Sequence, residues 1–259
     1  MPRSLSPRLV SSLLLLLSLW VVPLEGAIAV PAGSAAPPAT TAATTIQPYL
    51  DQARQSIRRF RLSNGLTLVV MERHQAPVVS VVTYARVGGV DEADGQTGIA
   101  HFLEHLAFKG TREIGTRDWT RESLLLARMD TLASDRQAAQ RAGDAARVSD
   151  LDRQLGQLQS EAASYIRANE FGRILETAGA VGLNAMTTAD ATIYYCSLPA
   201  NKLELWMALE SQRFLQPVLR EFAEEKAVIL EERRLRLENS PVSQLLEQVK
   251  ASALGTHPY

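Results

Sequence analysis

Residues 101–105 read His-Phe-Leu-Glu-His and lie within a stretch, 98–109, whose apolar residues fall at helical spacing. On a helix, positions three and four apart are neighbours, so His101, Glu104 and His105 converge on one side. Two imidazoles placed in this way can clamp one metal ion, and the carboxylate between them can take a proton from water. A nitrogen-rich site suits zinc, which needs only one further protein ligand and an open fourth position to be hydrolytic. Five residues with three fixed identities also recur by chance, and paired histidines on a helix are often solvated or packed structurally. The chain has two other histidines, His74 and His257, and both read as ordinary loop residues.

A third ligand must come from elsewhere, and it must be a carboxylate or a histidine. Cys196 is the single cysteine of the 259 residues, which excludes an intrachain disulfide and a cysteine-rich zinc site. The helix expected over 221–237 offers Glu224, Glu225, Glu231 and Glu232. Helical spacing alone does not choose among them, since Glu225 and Glu232 share one stripe and Glu224 and Glu231 another. Rival chemistries find no footing. No serine sits in a nucleophile elbow, Cys196 lies in an expected strand, and there is no glycine-rich Walker loop.

The elements that must position these residues are legible in outline. Strands are expected over 60–62 and 66–71 around Ser63-Asn64-Gly65, where Asn-Gly is a strong hairpin signal, and over 78–87, which is β-branched and alternating. Gly88-Gly89 then reads as a tight turn leading to the histidine helix. Two long charged segments, 119–140 and 145–167, carry apolar stripes through Leu124, Leu125, Met129 and Leu132 and through Val148, Leu151, Leu155 and Leu158. With a break at residues 141–144, they form an antiparallel helical hairpin, read over 118–167 as an insertion peripheral to the chemistry. A short helix over 170–178, strands over 183–188 and 192–198, and helices over 201–215, 221–237 and from Pro241 complete the chain. In this strand pair Tyr194 and Tyr195 read as packing residues. The expected fold class is α+β: a mainly antiparallel sheet with helices packed on one face, plus the inserted hairpin.

Composition narrows the partners. With 27 basic and 28 acidic residues there is no charge bias towards nucleic acid or an anionic membrane, and 46% apolar residues supply a core. Arg3 and Arg8 precede an apolar run over 9–22, and Ala27-Ile28-Ala29 supplies the small residues that a signal peptidase reads. The run is shorter than the ~20 residues of a membrane span. Residues 1–29 are therefore expected to be a signal peptide cleaved after Ala29, directing the chain to a bacterial periplasm; the solid leucine block argues against a mitochondrial presequence. Residues 30–55, rich in Ala, Pro and Thr, read as a flexible tether, with the domain over 56–259.

Several separate segments, in order, resemble one family. The run Gly88-Gly89-Val90-Asp91-Glu92 followed by residues 98–111, then Gly182-Leu183-Asn184-Ala185-Met186-Thr187, Thr192-Ile193-Tyr194-Tyr195 and Val228-Ile229-Leu230-Glu231-Glu232, closely resembles the insulinase/pitrilysin zinc metallopeptidases. Their motif is His-x-x-Glu-His, the zincin motif reversed. The similarity is to an amino-terminal domain, most like the bacterial and mitochondrial processing-peptidase branch, and runs from about residue 60 onwards apart from the hairpin. It implies one zinc per chain held by His101, His105 and Glu232, with Glu104 as general base. It also implies Glu225 as an outer-shell carboxylate and Asn184 as a grip on substrate backbone lying along a sheet edge. The implied activity is hydrolysis of peptides or unfolded segments, incomplete without a carboxy-terminal half or homologous partner subunit. Some relatives of this kind have lost their ligands and serve as non-catalytic partners, which is the competing expectation.

Overall fold

A helix needs its first turn started, and among the described helices Asp118, Asp144 and Ser240 do so with their side chains. The computed structural model describes residues 46–255, 257 and 259. The signal peptide expected over 1–29 and most of the tether lie outside them. The chain divides after Glu72 into two units.

The first unit holds helix α1 (Gln47–Ser56) and an antiparallel hairpin of β1 (Ile57–Arg61) and β2 (Thr67–Met71). Pro48, in the first turn of α1, presets φ where its missing N–H costs nothing, and Tyr-Leu-Asp-Gln-Ala-Arg-Gln continues it. The last residues of the expected tether are therefore helical, because the Ala/Pro/Thr bias ends before Gln47. The hairpin pairs Ile57 with Met71 and Arg61 with Thr67. Its turn is closed by Leu62 N–H donating to Leu66 O at 2.8 Å and by the Asn64 side chain accepting from Leu66 N–H. The Asn-Gly signal was the right one.

The second unit is built on a sheet in the order β3-β5-β4, with β3 at Val78–Ala85, β4 at Val181–Thr187 and β5 at Thr192–Pro199, all antiparallel. Thr192, Tyr194, Cys196 and Leu198 of β5 are buried, and the intervening residues are more exposed. Val81 and Val79 of β3 pair with Cys196 and Leu198 on the same face. This period of two is that of a sheet covered on one side. The covering helices are α5 (Glu170–Thr177) and α6 (Leu203–Leu215), whose Phe171, Leu175 and Leu209 join Val81, Cys196 and Leu198 in the core. Tyr194 lies under this layer with the Arg213 guanidinium 4.3 Å from its ring centre, and burial above all pushes its phenol up to about 12. Tyr195 faces the other way and is exposed, so of the two tyrosines expected to pack only Tyr194 is buried.

The turn expected at Gly88-Gly89 is a 3-10 turn over Gly89–Asp91, with Asp91 N–H donating to Gly88 O, and Gly88 itself is extended. A Cβ there would stand 2.5 Å from the carbonyl oxygens of Thr188 and Ala189. The glycine allows the strand exit to press against the β4–β5 turn, where Gly89 and Val90 N–H donate to those two oxygens.

The helical hairpin consists of α3 (Trp119–Arg141) and α4 (Ala145–Ala163), each N-capped by an aspartate, Asp118 and Asp144. Arg136 pairs with Asp152 across it, and Ala139, Leu151, Leu158 and Ala162 are buried along its seam. Leu124 is not on the seam. It is 69% exposed, because Leu125, Met129 and Leu132 define a stripe from which it is offset by one residue.

Nor is the base of the hairpin peripheral. Arg220, fully buried, donates to both carboxylate oxygens of Glu122 at 2.5 and 3.1 Å, and to the carbonyls of Lys109, Thr111 and Ile114. Gly110 (φ +95) makes the cage possible, since a Cβ there would lie 2.2 Å from Ile114 O. At the other root, Arg167 N–H donates to Gly115 O and Arg117 N–H to Tyr165 O. The peripheral reading of 118–167 therefore does not extend to Glu122, which the core holds. Replacing only 128–157 by a short turn is expected to preserve folding, whereas Glu122→Ala, which strands a buried guanidinium, should cost about 3–5 kcal/mol. Urea unfolding of the two variants checks both.

Candidate metal centre

Helix α2 (Ile99–Leu106) is short, only two turns, and is held at its start from outside. Gly98 enters it at φ +94 and has no side chain to cap it. The cap is Glu92, whose carboxylate accepts from Gly98 N–H at 2.8 Å and from Ala100 N–H at 2.7 Å. A negative charge at that end also complements the helix dipole. Helix α7 (Phe222–Arg233) faces α2, with the Phe102 and Phe222 rings 4.7 Å apart. One turn of π-helix (Arg234–Glu238) follows directly and leads to α8 (Pro241–Leu254).

The two helices bring three expected ligands together. The His101 and His105 rings lie edge-on, 4.9 Å apart, and Glu232 Oε2 is 3.6 Å from Nε2 of each. One ligand atom from each residue falls within 4.8 Å of the other two. Tetrahedral zinc with bonds near ~2.1 Å would hold such atoms about 3.4 Å apart, so a small inward adjustment fits these donors to the ion. Two imidazoles and one carboxylate are also the donor set of a hydrolytic zinc site with its fourth position open. The second oxygen of Glu232 is held by Arg236 at 2.5 Å.

Around the ligands stands an ionic layer. Glu225 Oε2 is 3.1 Å from His105 Nδ1. A carboxylate only accepts, so Nδ1 carries the proton and Nε2 is left with a lone pair facing Glu232. Lys109 Nζ lies 2.5 Å from Glu225 Oε1 and 3.0 Å from Glu221 Oε2. Burial pushes the Glu225 carboxyl up, but Lys109 and then His105 outweigh it and hold the group below the usual carboxylate range. Burial likewise lowers the Lys109 ammonium, and its bonds to Glu225 and Glu221 more than offset this, leaving it above the ordinary lysine value. Glu221 sits at φ +53, a strained conformation for this residue type costing about 1–3 kcal/mol, which persists only where the surroundings impose it.

Glu104 is buried beside the histidines, and its Oε2 accepts from the Thr187 hydroxyl at the end of β4. Asn184 stands exposed on the same outer strand, its Oδ1 accepting from Ala185 N–H. Glu224 and Glu231 are exposed, Glu231 pairs with Arg234, and among the described residues the carboxylate grouped with the two histidines is that of Glu232. His74 and His257 are not in the group. Thr187, Lys109 and Glu92 were not foreseen. Lys109 was within reach, being four residues beyond His105. Thr187 was not, because its partner lies 83 residues away and only tertiary pairing joins them.

Comparison with known proteins finds a zinc protease among the relatives of this chain. A Helicobacter pylori protein named zinc protease PqqE is 28% identical over 201 residues, covering 76% of this chain and 33% of that protein. Mitochondrial-processing peptidase subunit beta of Lentinula edodes is 46% identical over 50 residues, covering 19% of this chain and 11% of its own. The crystal structure of a protease from Helicobacter pylori superposes with a TM-score of 0.55 at 26% identity, over 78% of this chain and 37% of that one. The chain thus spans about a third of the length of these longer Helicobacter proteins. Residues 68–127 and 158–259 match the profile of Insulinase (Peptidase family M16), the match pausing over the far part of the hairpin. With that match covering more than half of its residues, the chain belongs to the insulinase family, peptidase family M16.

Proposed function

We propose that this chain is the metal-bearing domain of a zinc endopeptidase acting on peptides or unfolded segments. The observation that carries the proposal is the convergence of His101 Nε2, His105 Nε2 and Glu232 Oε2, with the buried Glu104 carboxylate beside them. Bound by these three residues, zinc would supply Lewis acidity, polarising a scissile carbonyl and acidifying water. Glu104 takes the proton of the attacking water and later delivers it to the leaving amine. Thr187, by occupying Oε2, leaves Oε1 as the proton acceptor. Glu225 keeps His105 in the tautomer that presents Nε2. Asn184, exposed on a strand that forms one edge of the sheet, is placed to hold an extended substrate by backbone pairing.

The lone domain leaves this centre partly open: the His101 side chain is 32% exposed and that of His105 24%. An open site weakens electrostatic stabilisation of the developing oxyanion, so a further part of the protein or a homologous subunit is proposed to close over it. The relative named as a subunit is in keeping with that arrangement. No helix of the described residues is long and apolar enough to cross a membrane. Export to the periplasm, with cleavage after Ala29, remains the proposed location, supported by Arg3, Arg8 and the leucine block.

Glu104→Gln should retain one zinc per chain yet lower peptide cleavage by about a hundred- to ten-thousandfold, because it removes a base and no ligand. Glu232→Ala should lose the metal. Zinc analysis of the purified variants, with cleavage of an unstructured peptide assayed with and without the carboxy-terminal counterpart, tests both; retention of tight zinc by Glu232→Ala would refute the ligand assignment. Thr187→Val should leave zinc binding intact and lower kcat by up to about a hundredfold through loss of Glu104 orientation. Unchanged kcat would show the hydroxyl to be structural.

A further inference from the structure

Lys109 enters the centre from one step further out than Glu225. Its ammonium reaches Glu225 Oε1 at 2.5 Å and Glu221 Oε2 at 3.0 Å, while the other Glu225 oxygen takes the His105 Nδ1–H. Both oxygens of Glu225 are thereby engaged, one by a cation and one by the imidazole. We propose that Lys109 is a positioning residue for the metal centre: by pinning Glu225 it fixes the ring plane and tautomer of His105, so that Nε2 meets His101 and Glu232. The proposal rests on reading His101, His105 and Glu232 as a zinc site.

Three observations separate this from an ordinary surface ion pair, which contributes little. The side chains are largely covered, with 22% of Lys109, 13% of Glu225 and 29% of Glu221 exposed. The backbone beneath them is fixed, since Lys109 O accepts from the buried Arg220 guanidinium and Glu221 follows Arg220 directly, at positive φ. Finally, Glu221 and Glu225 are like charges four residues apart on the entry turn of α7, and a cation between them is what lets both point towards α2. Without it, Glu225 keeps one polar partner and its carboxylate rotates, so the His105 ring is no longer held in a single orientation. Loss of an outer partner of this kind typically weakens metal binding by about ten- to a hundredfold.

The test is a double-mutant cycle on zinc affinity, measured by competition with a chromophoric chelator on the full chain carrying Lys109→Met, Glu225→Ala or both. Lys109→Met should weaken zinc about tenfold. In the Glu225→Ala background the same change should add nothing, because the two residues act through one path. Lys109→Arg should retain most of the parent affinity. Melting of the metal-free proteins shows whether Lys109→Met folds; if it does not, Lys109→Arg and a Lys109→Gln variant carry the comparison. Parent-like affinity in Lys109→Met, or losses that multiply in the double variant, would overturn the proposal alone. A parent chain that binds no zinc would overturn the zinc reading and this inference together.

Discussion

The buried Arg220 guanidinium is the interaction on which the arrangement depends. Its donors join the loop that leaves α2, the first turns of α3 and the residue two before α7. Such a charge is tolerated in a dry interior only because the Glu122 carboxylate meets it and three carbonyls satisfy the remaining N–H groups. A hydrophobic side chain of equal volume would fill the space without dictating where three segments go. The guanidinium fork dictates it, and with it the distance at which the histidine pair and Glu232 face each other.

That placement explains which parts of the molecule were legible in the sequence. Local periodicity located almost every element, because α2, β5 and the hairpin seam each bury a face with a clear period. The histidine helix and its glutamate needed only spacing. Glu232 and Glu231 both lie on plausible stripes, and that Glu232 is the half-buried one, grouped with the histidines, is visible only in the structure. In the sequence Glu122 is one more charge at the start of a polar helix. Its burial is imposed by a residue 98 positions away, and no local pattern carries that information. The same holds for Thr187 with Glu104.

Reading 118–167 as one peripheral block assumed that an insertion begins where a helix begins, whereas the core claims the first turns of α3 and the residues after α4. At Gly88 the turn was legible, but the need for a residue without a Cβ, at an approach between two loops, was not.

The far half of the hairpin has a consequence for the chain as a polymer. His105 and Glu232 are separated by 126 residues, so bringing them together closes a long loop. The entropy of closure grows only logarithmically, and the 30 residues of 128–157 add roughly 0.2 kcal/mol to it. Insertions at that point are nearly neutral for assembling the centre. The unfolded chain, by contrast, holds the pair and its third partner far apart, so an ion favouring all three binds the folded form almost exclusively. At a hundred times its dissociation constant such an ion adds about 2.7 kcal/mol to folding. Metal supply and the folded fraction of this chain would then be two readouts of one equilibrium.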